Sequence, residues 1–252
     1  MNRTLTIAVK RQDRPRMGTR WEQFAVDYEP GMNMTTVLQR IAANPRTLDG
    51  QDTTPVAYDA CCLEEVCGAC SMLINGRVRQ ACSALVENLL EERPDLITLE
   101  PMSKFPVIRD LFVDRSQMFE ALKTVRAWIT ADGYFDRGPG PRISQAEQEE
   151  AYPLTTCMTC GCCLEACPQF GEHTSFIGAA AISQAVLFNE HPVGHYEAEQ
   201  RLEVITGPDG IAACGNAQNC AKVCPKQIPL LRSLAKAGRS ATMFAVRRFL
   251  HR

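Results

Sequence analysis

The stretch Cys62-Leu-Glu-Glu-Val-Cys67-Gly-Ala-Cys70 places three cysteines within nine residues, and Cys82 follows after eleven more. This C-x4-C-x2-C…C spacing is that of a plant-type 2Fe-2S loop. Each iron of such a pair is tetrahedral and takes two thiolates, so the loop must curl with its amide N–H groups pointing inward. Gly68 and Ala69 are small enough to let it. Counted from Cys61 the first gap would be five, which puts Cys61 out of register as a bystander. A zinc site is the alternative, although its ligands usually come as two short-spaced pairs.

Outward from the loop the chain reads as strand. Asn75-Gly76 sits between the apolar runs Ser71–Ile74 and Val78–Gln80 and predicts a tight hairpin that returns Cys82 beside Cys70. Leu5, Ile7 and Val9 alternate, as do Phe24, Val26 and Tyr28, and Leu96–Leu99 gives a last short strand. Between them Met34–Ala43 carries Val37, Leu38 and Ile41 on one stripe, with Thr35 as the expected cap. The expectation is a small mixed sheet with one helix packed on it.

From Ser116 the period becomes helical, with Phe119, Leu122, Val125 and Ile129 as the expected apolar stripe, and Gly138-Pro-Gly-Pro141 then reads as a linker. Further helices are expected over Ser144–Tyr152, Gly178–Asn189 and Leu230–Phe249. They separate two similar cysteine groups: Cys157, Cys160, Cys163 and Cys167-Pro168, then Cys214, Ala217, Cys220 and Cys224-Pro225. Both follow C-x2-C-x2-C-x3-C-P with one change, Ala217 in place of a cysteine in the second, and this is the bacterial ferredoxin run in which the fourth cysteine of each motif ligates the other cluster. On that rule Cys157, Cys160, Cys163 and Cys224 hold a 4Fe-4S cubane. Cys167, Cys214 and Cys220 are left for the other cluster, and with Ala217 unable to bind, a 3Fe-4S cluster is its natural occupant. Cys162 interrupts the register and reads as a spare, buried thiol. Seven zinc ligands would explain neither the reciprocal motif nor the two Cys-Pro pairs.

Thirteen cysteines in 252 residues is a high and odd number, and their CxxC clustering argues for metal in a reducing compartment rather than a disulfide framework. With 45% hydrophobic and 22% charged residues the composition excludes a disordered or collagenous chain. Neither a signal peptide nor a membrane-spanning apolar run is apparent; the longest uncharged stretch, Thr174–Asn189, falls short of the roughly 18 residues a span needs. The net charge is −2, yet no acidic residue follows Asp209 while Lys222, Lys226, Arg232, Lys236, Arg239, Arg247, Arg248 and Arg252 do. Such a basic tail suits an anionic membrane surface or an acidic partner better than a merely solvated face.

A plant-type 2Fe-2S segment followed by a helical segment with 4Fe-4S and 3Fe-4S ligand sets resembles the iron–sulfur subunit of succinate dehydrogenase and fumarate reductase, closest to the menaquinone-using Gram-positive type. The resemblance runs over nearly the whole chain: Leu63 to Cys70, Ile74-Asn-Gly76, Val107-Ile-Arg-Asp-Leu111 with Val113-Asp114, Cys157-Met-Thr-Cys160, and Cys214 through Lys226. It implies an α+β fold, with a β-grasp plant-type 2Fe-2S ferredoxin domain over 1–105, a connecting helix and Gly/Pro linker over 106–142, and an α-helical bacterial-type dicluster domain over 143–252. It also implies an FAD-containing flavoprotein partner, a haem b-bearing membrane anchor, menaquinone near the 3Fe-4S cluster, and a peripheral position on the cytoplasmic side of the bacterial membrane. The dicarboxylate site would lie on the flavoprotein, leaving this chain no catalytic residue of its own.

Two departures bear on the quinone. Ubiquinone-reducing relatives tend to place a His directly after the first Cys of the last group and a Trp shortly after the first Cys-Pro, where this chain has Gly215 and Gln169 to Glu172. Only Pro168 carries over as a quinone contact. His173 is a weaker candidate, and His191, His195 and His251 read as structural or solvated. Trp21 and Trp128 read as packing residues. Plant-type clusters commonly lie near about −400 mV, too low for succinate oxidation, so the surroundings must raise the potential. The rivals are the same subunit run as a quinol:fumarate reductase, another dicluster oxidoreductase subunit, and a zinc-binding interaction module.

Overall fold

A computed structural model describes residues 3–130 and 141–250. Gly138 to Gly140 of the expected linker, His251 and Arg252 lie outside the described residues. The chain divides into two compact units: Met1–Arg115 with Met158–Glu165, and Ser116–Cys157 with Ala166–Arg252.

In the first unit, β1 (Thr4–Arg11) and β2 (Arg20–Asp27) pair antiparallel, with Ile7 opposite Phe24. The helix α1 (Met34–Ala43) follows. The strands β3 (Ser71–Ile74) and β4 (Arg77–Gln80) form the expected hairpin, α2 (Val86–Glu92) comes next, and β5 (Ile97–Glu100) inserts parallel to β1 and antiparallel to β3. The sheet order is β2-β1-β5-β3-β4. Alternation places Ile7, Val9, Phe24, Ile74, Ile97 and Leu99 in one core, where Val37, Leu38 and Ile41 of α1 cover them. Asn75 and Gly76 both have positive φ, 52° and 75°, as a two-residue turn of this hand requires. Asn75 also accepts a hydrogen bond from the Thr98 amide at 3.0 Å, which fixes the hairpin to β5.

The cap of α1 differs from expectation. Asn33, not Thr35, caps it, accepting from the Thr36 amide at 2.9 Å. Thr35 already lies in the first turn, where its buried hydroxyl finds no hydrogen-bond partner among the described residues.

A small hairpin of β6 (Val107–Arg109) and β7 (Phe112–Val113) positions the segment leading into the cysteine loop. At its tip Asp110, fully buried, accepts from Arg11 Nε at 2.9 Å and from the amides of Gln12 at 3.2 Å and Ala57 at 2.9 Å. The equally buried Arg11 guanidinium also reaches Glu22 at 2.6 Å and the Thr54 carbonyl at 3.1 Å. This charge pair holds the chain five residues ahead of Cys62.

The second unit is helical: α3 (Ser116–Thr124), α4 (Gln145–Thr155), α6 (Gly178–Glu190), α7 (Ala198–Thr206) and the long α9 (Leu230–Leu250), with a one-turn α8 (Asn219–Lys222); the one-turn α5 (Cys162–Glu165) lies in the segment belonging to the first unit. Ser144 and Glu147 form a reciprocal capping box that starts α4. The phase of α3 differs from expectation: it buries Met118 and Ala121, with Val125 just beyond, and leaves Phe119 47% exposed. Trp21 and Trp128 are likewise half exposed rather than packed, and the Arg126 guanidinium lies 5.7 Å from the Trp128 ring centroid.

Arg201 on α7 is completely buried, and its donors meet the carbonyls of Arg126 (3.0 Å), Trp128 (2.8 Å) and Gly194 (2.7 Å). Burial pulls its pKa below the usual guanidinium value, opposed by the Glu197 carboxylate. It pins the turn after α3 to the α6–α7 corner.

Candidate metal centres

The loop from Cys62 to Cys70 is built from backbone turned inside out. Leu63 and Glu65 take positive φ, 60° and 56°, which swings successive amides toward the thiols. The N–H groups of Glu64, Val66 and Cys67 donate to Cys62 Sγ at 3.4, 3.3 and 3.3 Å. Those of Cys62 and Ala69 donate to Cys67 Sγ at 3.5 and 3.4 Å, and that of Glu65 to Cys82 Sγ at 3.3 Å. Amides aimed at sulfur stabilise thiolate, so Cys62 is held down at about 7, chiefly by the Glu64 amide. Cys70 is the opposite case, pushed up to about 12 by burial and by its neighbour Cys82. Burial therefore keeps Cys70 protonated unless a cation compensates its thiolate. Cys62 thus lies against Cys67 and Cys70 against Cys82, with the Glu65 amide of the same loop donating to Cys82. Cys61 is exposed and receives none of these amides.

Gly68 is required for more than its φ of +70°. A Cβ there would lie 2.6 Å from Cys160 Cα, inside the same unit. Arg115 clamps this part of the loop, donating to the Gly68 carbonyl at 2.9 Å and to Asp59 at 3.3 Å. The segment Met158–Glu165 is anchored to the first unit by Glu165, which accepts from the amides of Ser103 and Lys104, both at 2.9 Å.

Cys162 is buried, as the sequence suggested, but it is not idle. It hydrogen-bonds Cys160, bringing Cys160 down to about 7 and raising its own pKa, with the Arg115 charge assisting Cys160. Gln80 Nε2 donates to Cys162 Sγ at 3.3 Å. Sequence reading assigned nothing to Gln80, Ser71, Arg115 or Glu165, because each acts through a partner remote along the chain.

In the second unit Cys220 is pushed up by burial and then by the charges of Cys167 and Cys214, so these three thiols lie close together. Asn219 ties α8 to the Ala166 carbonyl at 3.1 Å, and Asn216 and Gln218, at φ 52° and 62°, flank the exposed Ala217. Cys157 and Cys224 belong to this unit, whereas Cys160 and Cys163 belong to the first. Pro168 and His173 are exposed; His191 accepts the Val193 amide at the end of α6, and His195 stacks on Tyr196. The two positions that depart from the ubiquinone pattern are neighbours, since a Cβ on Gly215 would meet Gln169 Nε2 at 2.7 Å.

Two families match the chain: a 2Fe-2S iron-sulfur cluster binding domain over residues 6–120 and a 4Fe-4S dicluster domain over residues 153–228. The succinate dehydrogenase iron-sulfur subunit of Bacillus subtilis is 48% identical over 247 residues, covering 98% of this chain and 96% of that protein. The chain belongs to the succinate dehydrogenase and fumarate reductase iron–sulfur subunit family. A second member, the fumarate reductase iron-sulfur subunit of Wolinella succinogenes, is 31% identical over 93% of this chain and 96% of its own. The fold agrees with a chain of the Mycobacterium smegmatis Sdh1 complex in the apo form, at a TM-score of 0.81 and 23% identity over 99% of this chain and 98% of that one. The α+β architecture expected of the family, a ferredoxin-type sheet domain before a helical dicluster domain, is therefore the architecture of this chain.

Proposed function

We propose that the chain is the electron-transfer subunit of a succinate:quinone oxidoreductase, conducting electrons from FAD on a flavoprotein partner to menaquinone at a haem b-bearing membrane anchor. The observation that carries this reading is the set of inward amides on Cys62, Cys67 and Cys82, in a chain of this family. When bound, the 2Fe-2S, 4Fe-4S and 3Fe-4S clusters would each take up and release one electron at a time. The chain's own residues do the rest. Cys62, Cys67, Cys70 and Cys82 hold the first cluster, Cys157, Cys160, Cys163 and Cys224 the second, and Cys167, Cys214 and Cys220 the third. The amides lower the cost of negative charge at sulfur, which favours the reduced state and raises the potential above that of a bare cluster.

This reading divides the chain into 1–105, 106–142 and 143–252, whereas the compact units break after Arg115 and return Met158–Glu165 to the first. No helix among the described residues is long and apolar enough to cross a membrane. Attachment to the cytoplasmic face would instead use α9, whose end exposes Met243, Val246, Phe249 and Leu250 beside Arg247. Three of its cations are already paired within the unit, Arg232 and Lys236 with Glu150 and Arg248 with Glu203, so the apolar residues weigh more in docking than the net charge does. Pro168 remains the quinone contact of this reading, beside the Gln169–Gly215 pair. The alternative is the same role in a quinol:fumarate reductase, in keeping with the Wolinella succinogenes relative's name as a fumarate reductase iron-sulfur subunit.

Anaerobically purified protein should contain about nine irons per chain, from clusters of two, four and three, with matching acid-labile sulfide. Stoichiometric zinc with negligible sulfide would end the proposal. Cys62→Ser should alter the 2Fe-2S EPR signal while Cys61→Ser leaves it intact; the reverse would mean the loop register is wrong. Turnover of the purified complex in both directions separates succinate oxidation from fumarate reduction.

A further inference from the structure

Between Cys70 and Cys160 lies a buried polar chain with no role in holding metal. Gln80 is 1% exposed, Ser71 4% and Cys162 0%. The Gln80 amide spans the gap, with Oε1 3.7 Å from Cys70 Sγ and Nε2 2.8 Å from Ser71 Oγ and 3.3 Å from Cys162 Sγ. Ser71 in turn lies 2.8 Å from the Gly68 carbonyl and 2.9 Å from the Cys160 carbonyl. Hydrogen bonds thus run without a break from one candidate cluster ligand to the neighbourhood of the next.

We propose that Gln80 is a positioning residue for electron transfer, an amide that turns to donate Nε2–H to Cys70 when that sulfur binds iron, linking it through Ser71 and Cys162 to Cys160. The inference rests on the cluster assignment above. In the arrangement shown, the Cys70 thiol donates to Oε1. A metal-bound sulfur has given up its proton and can only accept. Oε1 facing it would then oppose two negative ends, whereas rotation about the last side-chain bond brings the donor to the sulfur with almost no change of shape. A hydrogen bond to a charged acceptor is stronger than the neutral ones it displaces. The carbonyl that rotates away accepts from the Ser71 hydroxyl, 2.8 Å from that position, which can swing its proton toward it, while the Cys162 thiol keeps its own proton for Cys160.

The consequence is electronic as well as geometric. Reduction of the 2Fe-2S pair adds one negative charge that spreads onto its sulfurs, and a donor at Cys70 favours that state, so the potential rises. An electron passing on toward a cluster held by Cys160 would need no proton transfer and no broken bond among these residues. Before the turn Nε2 donates to Cys162 and to Ser71, and after it Oε1 takes that place beside them, so in either state one amide lies between Cys70 and the Cys160 backbone that Ser71 reaches.

The test is a redox titration of the assembled complex by EPR. Gln80→Leu should keep the iron and sulfide content of the wild type yet shift the 2Fe-2S midpoint to a more negative value, and Gln80→Glu, which adds a carboxylate, should shift it further. Pulsed EPR of the reduced wild-type complex labelled with 15N in the glutamine side-chain amide should show a hyperfine coupling from one amide nitrogen. This second measurement needs no variant and so stands even if Gln80→Leu fails to assemble. An unchanged midpoint in an iron-replete Gln80→Leu complex, or no side-chain coupling in the wild type, overturns the proposal. A wild type without iron or a 2Fe-2S signal would instead overturn the cluster assignment on which it rests.

Discussion

Asp110→Ala tests whether the buried charge pair behind the loop is what holds the cysteine scaffold in place. Arg11 and Asp110 are both completely buried, and the carboxylate satisfies Arg11 Nε together with the amides of Gln12 and Ala57. Breaking a buried pair by removing one partner costs about 3–5 kcal/mol. Arg11 keeps Glu22 and the Thr54 carbonyl, which argues for the lower end, but the Ala57 amide loses its acceptor at a cost of about 1–3 kcal/mol. These terms share one site and do not simply add, so about 3–4 kcal/mol is expected. With a slope of about 2 kcal/mol/M, the urea midpoint should fall by about 1.5–2 M. The assay is bleaching of the visible 2Fe-2S absorption against urea under anaerobic conditions. Asp110→Asn, which keeps the shape and one acceptor, should fall between Asp110→Ala and the wild type. A midpoint for Asp110→Ala within about 0.25 M of the wild type, the equivalent of about 0.5 kcal/mol at that slope, would refute the idea that this pair secures the loop.

Gly68→Ala should lower 2Fe-2S occupancy in the purified protein, because the added methyl meets the Cys160 backbone at 2.6 Å and the φ of +70° adds roughly 1–2 kcal/mol of strain; full occupancy by iron and EPR quantitation would contradict this. Ala217→Cys should convert the proposed 3Fe-4S cluster to 4Fe-4S, remove the oxidised-state EPR signal and lower the potential, and an unchanged signal in a folded variant would show that Ala217 does not face the cluster. Asn33→Ala should cost about 1 kcal/mol by thermal unfolding, whereas Thr35→Val, which removes a buried hydroxyl without a partner, should cost nothing or stabilise; the opposite order would restore Thr35 as the cap.

What the sequence disclosed and what it concealed divide along a physical line. Cysteine spacing, the Asn75-Gly76 turn and the alternation of Leu5, Ile7 and Val9 are local patterns, and each maps onto a local geometry that depends on nothing far away. Arg11, Asp110 and Arg201 are charged residues whose composition-level reading is solvated surface. Only their distant partners, 99 residues apart for Arg11 with Asp110 and 75 for Arg201 with the Arg126 carbonyl, make burial affordable. The phase of α3 is not legible in the sequence because Phe119 and Leu122 outweigh Met118 and Ala121 in apolarity, yet Met118 and Ala121 are the ones that pack. At the candidate metal centres the cysteine spacing is legible, but the Leu63 and Glu65 backbone conformations that aim amides at the thiols are not, since neither residue type favours positive φ.

The return of Met158–Glu165 to the first unit sets a limit on modularity. A fragment ending at residue 115 would carry every cysteine of the plant-type loop, and by motif alone it would pass as a complete ferredoxin. It would nevertheless lose the Glu165 carboxylate that satisfies Ser103 and Lys104, and it would open Gln80 and Ser71 to solvent. Attempts to excise the first ferredoxin as an autonomous part, or to exchange it between relatives, must therefore transplant this eight-residue insert along with it. The two ferredoxin types are interleaved in the chain, and a substitution near Cys160 can be felt as a defect at Ser71 of the sheet domain, 89 residues earlier.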